Sequence, residues 1–584
     1  MEDADTISLF DSILNGHEWE YLRPRGNVSM NYRDLKSLIS LLKRERMSAE
    51  DFAAEIETEI EALRDDPKSI SSMGKTKGQL KKEITSKIEA LERTKEVAAF
   101  FALYETAKRE KDMMDYDDIL SYLAAIVRDS EEARAQLRER FLYVLVDEHQ
   151  DSSGVQNEFL KIVWGNESGD EGLESPNIFV VGDDRQLIYG FGGASLSHFE
   201  EFKNHFVGTQ VITLTENYRS TQTILDTADS LLSSSLAEGK LVSQNDIAHP
   251  IRLIEANYPR DEIISAGLFF KERISDGISP NDCALLVPKN AQVRSAVAIL
   301  RDMGLPASSV QSLRLFDTAE ADSFMTILRI LNDPYDSISL AELVLDPISS
   351  IPPLDAHYFM HAVDARKLSV AMLANNENHI AAFGKKLEKV INDSVGKSVY
   401  SLIQEVGNTF FLDNDSVVSG EHSETHLDHD TYIKRIEIIR SMLHLSLTLH
   451  ERNAKGTLKD FIDYIARLKE YGENVPLAVF GTNDGIQVMT LHTSKGLEFN
   501  SVWIAHMNER SLMGSKNAGC TLHETLKTHV AKKDEEVAKR ELYVAITRAK
   551  EHCALSYSKM SHKGSEELLA AIIQAMSDES FEKV

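Results

Sequence analysis

Six short apolar runs, "FLYVLVD", "NIFVVGDD", "QVITLTE", "CALLVP", "IQVMTLH" and "SVWIAHM", constrain this chain more than any other feature. Each is rich in β-branched residues, and most end at the carboxyl side in a polar or charged cluster. A strand covered on both faces reads as an unbroken apolar run, and parallel sheets gather their working residues at the carboxyl ends of the strands. The pattern therefore predicts an α/β protein built on buried parallel strands.

Between the runs the periodicity changes. Residues 30–140 place apolar side chains at helical spacing, with Ser48 expected as an N-cap ahead of Glu50 and Asp51. Helical text returns from about 335 to 480. At 584 residues the chain is too long for one core. The expected division is a helical insertion at 1–110, the remainder of a first sheet core at 111–216, and a second core at 217–334. A second helical insertion follows at 335–482, and the second core resumes at 483–584. The polar stretch "FLDNDSVVSGEHSETHLDHD" reads as a loop in the second insertion. Its His422, His426 and His429 lie near Asp428 and Asp430, but no strand or helix is expected to hold them as a metal site.

Charge and cysteine content narrow the setting. A net charge of -29 disfavours wrapping the whole surface on nucleic acid, although it allows a local basic groove. Lys75, Lys77, Lys81 and Lys82 have no interleaved aromatic and read as a solvated helix face. The three cysteines form no CxxC pair, the first residues "MEDADTISLF" are acidic where a signal peptide would be basic, and no run of about 18 apolar residues occurs. A cytoplasmic protein is expected.

The chemistry begins at "LVDEHQD". Asp147 at a strand end is suited to hold magnesium, and Glu148 beside it to act as general base toward water. A solvated Asp-Glu pair after a strand would look the same. In "GDDRQLIYGFGGA", Gln186 is placed to sense a γ-phosphate, and Tyr189 and Phe191 to stack on bases. "LTENYRST" puts Tyr218 and Arg219 directly after a strand end, an aromatic beside a phosphate-binding guanidinium. "TLHTSKGLEF" gathers Thr490, His492, Ser494 and Lys495 in a polar turn before Gly496 and Glu498, and "YVAITRAK" carries Arg548 and Lys550.

These five motifs occur in the order seen in the UvrD/Rep/PcrA family of superfamily 1 DNA helicases, and the chain resembles that family from about residue 30 to 560. "MDYDDIL", "LLVPKNAQVR" and "ILNDPYDSISL" extend the resemblance. It implies two RecA-like motor cores with two helical insertion domains. The implied activity is ATP-dependent movement 3′ to 5′ along single-stranded DNA with duplex unwinding, using Mg2+ and ATP. By resemblance, Asp147 holds magnesium, Glu148 is the catalytic base, and Gln186 couples hydrolysis to DNA. Tyr218 is placed to stack on adenine, Arg219 and Arg548 to touch the γ-phosphate, and Gly496 and Glu498 to lie at the nucleotide, with Glu498 near the ribose. Tyr189, Phe191, Thr490 and His492 fall where the family meets DNA.

The resemblance also implies a GxxxxGK[ST] phosphate loop before the acidic pair. Gly74, Lys75 and Thr76 spell "GKT", but Ser69 stands where the first glycine belongs, and a charged helix precedes it rather than a strand. It reads as an exposed basic turn. Gly192 also stands where the family usually has arginine. The chain is thus expected to begin inside the first motor domain, to leave sheet edges and apolar surface uncovered, and to be a poor ATPase as it stands. Two rival readings stay open: a non-catalytic DNA- or partner-binding relative, and a fragment of a split or mis-started helicase gene.

Overall fold

The structure is a computed structural model; it describes all residues except 2, 23–31, 72–77, 166–176, 189–195, 233–238, 310–313, 377–378, 413–428, 474, 476, 478–484, 514–534, 577–580 and 584. Tyr189, Phe191, Gly192, the "GKT" turn, His422 and His426 lie outside the described residues. The chain forms two compact units, Met1–Val310 with Asn483–Val584, and Gln311–Thr482. The architecture is α/β with parallel sheets.

In the first unit, the principal sheet has seven strands: β5 (Arg252–Ala256), β6 (Cys283–Val287), β7 (Ala307–Ser309), β8 (Ile486–Thr490), β9 (Phe499–Ile504), β10 (Ala549–Ser558) and β11 (Glu582–Lys583). Their order is β11-β5-β10-β9-β6-β8-β7, every pair parallel. "CALLV" in β6 and "IQVMT" in β8 are buried at every position. Alternate residues feed two cores: Ala284, Leu286 and Met489 enter one, and Cys283, Leu285 and Val488 the other. That is the double coverage expected of a central parallel sheet.

The earlier runs behave differently. β1 (Val144–Val146) pairs only with β2 (Ile178–Val180), in parallel register with Leu145 opposite Phe179. Leu145 is 78% exposed and Phe179 57%. "QVITLTE" contributes only its last residue, Glu216, to a strand, β3 (Glu216–Asn217), which pairs with β4 (Val242–Ser243), and Ile212 is 74% exposed. The expectation of burial along these three runs is corrected. Two parallel strands cannot cover each other's faces, and no further strand joins them among the described residues.

The helices before β1 pack chiefly on one another and on Gly154–Trp164. Asp3–Gly16, Tyr32–Arg44 and Lys82–Glu110 meet around Phe10, whose ring makes edge contacts with Tyr32, Phe100 and Tyr104, and Ala49–Asp65 packs along Lys82–Glu110. Ser48 caps its helix as expected, its Oγ accepting from the Asp51 amide at 3.0 Å. "MDYDDIL" forms a capping box on Tyr116–Asp129. Its acids also bind two buried lysines: Lys43 Nζ reaches Asp115 at 2.6 Å, and Lys108 Nζ reaches Asp118 at 2.7 Å.

The second unit is helical, with nine of the 14 residues of Ala319–Asn332 buried and that helix packed against Leu458–Glu470 and His429–Arg452. No helix among the described residues is long and apolar enough to cross a membrane.

Candidate functional site

β1 delivers Asp147 and Glu148 at its carboxyl end, both exposed. The chain must turn sharply there: Glu148 has φ 49°, a left-handed conformation uncommon outside glycine and asparagine. Asp147 Oδ1 steadies the turn by accepting from the Glu148 amide at 2.9 Å. Strain of this kind is kept where neighbours over-determine the backbone. Here His149 donates its amide to the Val181 carbonyl and joins Asn157 through its ring, while Gln150 donates to the Glu148 carboxylate.

Gln150 also ties this turn to the next strand end. Its Oε1 accepts from the Asp183 amide at 3.0 Å. Asp183 in turn accepts from Arg185 at 3.1 Å and from Gln186 Nε2 at 2.9 Å. A continuous hydrogen-bonded path thus runs from Glu148 to Gln186. Gln186 Oε1 then meets Arg548 Nη2 at 3.4 Å.

Arg548 is only 2% exposed and is held by backbone carbonyls, with Nε on Val544 and Nη1 on Leu497, both at 3.0 Å. Burial, aided by the nearby Arg219 guanidinium, pulls its pKa down to about 10, so it remains a cation at neutral pH. Arg219 donates to Glu498 Oε2 at 2.7 Å, and Lys550 reaches the other oxygen at 2.8 Å. Lys550 and then Arg219 hold the Glu498 carboxyl below its usual range. Tyr218 is 77% exposed, and its hydroxyl donates to Glu216 at 2.6 Å, which raises its pKa.

The turn after β8 brings the two strand systems together. Gly496, at φ 80°, reverses the chain in a conformation that glycine adopts at little cost. Just before it, Lys495 donates to Asp151 Oδ2 at 2.5 Å and to the Gln186 carbonyl at 3.0 Å, with Glu148 Oε2 at 3.9 Å. Burial pushes the Asp151 carboxyl up, against the pull of Lys495. Thr490 is buried and its hydroxyl bonds Thr493, while His492 Nε2 lies 2.9 Å from Glu541.

The structure therefore brings Glu148, Gln186 and Arg548 into one polar cluster, with Arg219 and Glu498 paired beside Lys550. Asp147 stands at its exposed rim. Thr490 lies beneath the surface of the turn in this conformation. Sequence reading gave no role to Lys495, Asp151, Gln150 or Asp183, although all four sit inside quoted motifs. Lys495 was legible as a cation between a strand end and a glycine; its carboxylate partner lies 344 positions away and was not.

A second "GK[ST]" stands at Gly396–Ser398. It follows the helix His379–Asp393 rather than a strand, and Ile391 occupies the first glycine's place, so it is no phosphate loop.

Residues 15–207 match the UvrD/REP helicase N-terminal domain, and residues 212–560 the UvrD-like helicase C-terminal domain. The chain is 26% identical over 478 residues to the ATP-dependent DNA helicase Rep of Buchnera aphidicola, covering 79% of this chain and 67% of that protein. It is 26% identical over 506 residues to the ATP-dependent DNA helicase PcrA of Staphylococcus aureus, covering 82% and 64%. With the ATP-dependent DNA helicase UvrD1 of Mycobacterium tuberculosis the figures are 26% over 494 residues, 79% and 60%. The chain thus spans about two thirds of the length of these relatives. With one domain model matching more than half of its residues and the other most of the rest, the chain belongs to the UvrD-like helicase family.

Proposed function

We propose that this chain carries the motor of an ATP-dependent DNA helicase that moves 3′ to 5′ on single-stranded DNA. The observation that supports this best is the path Glu148–Gln150–Asp183–Gln186–Arg548, which links an acid pair to a buried guanidinium through side chains and the Asp183 backbone amide. A water-activating carboxylate on one strand system and charge-stabilising arginines on another is the arrangement phosphoryl transfer needs.

In this reading Glu148 takes a proton from the attacking water, and Gln186 reports the state of the cleft to the DNA side. Arg219 and Arg548 stabilise the charge that develops on the transferring phosphoryl group. Tyr218 offers its exposed ring to adenine, and Gly496 and Glu498 lie at the nucleotide. The hard oxygen donors of Asp147 suit Mg2+, and Asp151 Oδ1, buried without a hydrogen-bond partner, leaves a further oxygen unspent nearby. Magnesium there would supply charge neutralisation between phosphate oxygens. DNA contacts are assigned to Tyr189, Phe191, Thr490 and His492; for Thr490 this requires the turn after β8 to open.

A second reading, a DNA-binding relative without a working motor, is favoured by one observation: no GxxxxGK[ST] occurs in the 584 residues. Backbone amides and a lysine would then be lacking at the phosphates. DNA-stimulated ATP hydrolysis by the purified chain, with unwinding of 3′-tailed against 5′-tailed duplexes, separates the two. Turnover with unwinding from 3′ tails supports the motor. Tight single-strand binding without turnover supports the second reading, and failure to bind DNA sinks both.

A further inference from the structure

We propose that His249, Glu551 and His552 form a binding site for a divalent transition-metal ion of the Zn2+ class. One ligand atom from each residue lies within 4.8 Å of the other two. The two imidazole rings stack with centroids 4.2 Å apart and planes at 29°, so their nitrogens are presented side by side.

The backbone explains how two adjacent residues reach one point. Successive strand residues face opposite sides of a sheet, and a regular β10 would separate Glu551 from His552. β10 instead loses register against β9 between Ala549 and His552. An irregularity of that kind re-aims a side chain. On the other flank, Ala554 lies opposite Arg252 of β5. Three residues back along each chain, that register brings His249 alongside Glu551. All three ligands are partly buried; Glu551 and His552 stand on β10, and His249 just before β5.

Two imidazoles and one carboxylate select a borderline ion such as Zn2+ over Mg2+, and leave one tetrahedral position open. Tetrahedral zinc with bonds of about 2.0–2.2 Å holds its ligand atoms roughly 3.4 Å apart, inside the 4.8 Å within which these three already lie. Two cations oppose the ion: Arg252, whose charge acts on the His552 imidazole, and Arg273, whose Nη1 lies 3.4 Å from His552 Nε2. Arg273 Nη2 is already paired with Glu272 at 2.5 Å and lies 3.5 Å from Asp276, which can hold the guanidinium once the imidazole is taken.

The test is Zn2+ titration of the metal-stripped full chain against a chromophoric chelator. It compares wild type with His249→Ala, His552→Ala, Glu551→Gln and Arg273→Gln, each checked for fold by circular dichroism. Wild type is expected to bind one more equivalent than His249→Ala or His552→Ala. Glu551→Gln should weaken that equivalent by about tenfold, and Arg273→Gln should tighten it. Equal stoichiometry in wild type and both alanine variants overturns the site. If either alanine variant fails to fold, unchanged zinc affinity in both Glu551→Gln and Arg273→Gln overturns it. The measurement is independent of ATP turnover.

Discussion

Lys495 Nζ lies 2.5 Å from Asp151 Oδ2, joining the turn after β8 to the acidic strand end of a different sheet. The lysine side chain is 6% exposed, so the pair is withdrawn from water. Breaking it leaves a half-buried carboxylate without its cation. Lys495→Met should therefore cost roughly 2–3 kcal/mol, below the full range for deeply buried pairs because Asp151 keeps some solvent. Burial already raises the Asp151 carboxyl, and removing the lysine raises it further. A folded form that holds its proton more readily loses stability as pH rises through the carboxylate range. The deficit of the variant in urea unfolding should thus be larger near about pH 7 than near about pH 4.

The same reasoning applies more strongly to Lys108. It is almost fully buried and donates to Asp118 at 2.7 Å and Asp115 at 2.9 Å, within 2.7 Å of Glu105. Lys108→Met should destabilise by about 3–5 kcal/mol, since it strands several acids together. Changing Lys43, Lys108, Asp115 and Asp118 jointly to apolar residues of similar volume should recover much of that loss. Thermal melting of the two variants checks both outcomes.

Burial pushes the Glu45 carboxyl up to about 7. Between its unfolded value and that point the folded state binds more protons than the unfolded state, so stability falls as pH rises across the window. Glu45→Gln should abolish this slope and stabilise the chain at neutral pH by on the order of 1–2 kcal/mol, allowing for partial exposure of the side chain. Unfolding midpoints measured across the window at fixed ionic strength would show it. A slope that persists in the variant would rule out Glu45 as its source.

The two sheets should answer differently to truncation. Leu286→Ala in β6, where the side chain is fully buried, should cost about 2–5 kcal/mol. Leu145→Ser in β1 should cost under about 1 kcal/mol, and with Phe179→Ser it should reduce self-association seen by light scattering. Equal costs at Leu145 and Leu286 would mean that β1 is covered in solution.

Much of the fold was legible because the signals were local. "CALLVP" and "IQVMTLH" are apolar at every position, and only a sheet covered on both faces uses such runs. Ser48 capped its helix because a hydroxyl three residues before an amide is satisfied within one turn. The motifs also named most of the cluster, since Glu148, Gln186 and Arg548 each stand at the end of an apolar segment. "FLYVLVD" and "QVITLTE" misled by the same logic. Their composition records an affinity for burial, but burial requires neighbouring strands, which composition does not count.

What the sequence determined by itself was therefore the class of fold, the buried strands β6, β8 and β9, and the family to which its motifs belong. Tertiary structure alone decided the pairings: Lys495 with Asp151, Arg548 with Gln186, Arg219 and Lys550 with Glu498, and His249 beside Glu551 and His552. The physical reason is range. Propensity and periodicity act over a few residues, whereas a buried charge or ligand set is fixed by whichever groups the packed sheet brings within about 3–4 Å, whatever their separation in sequence.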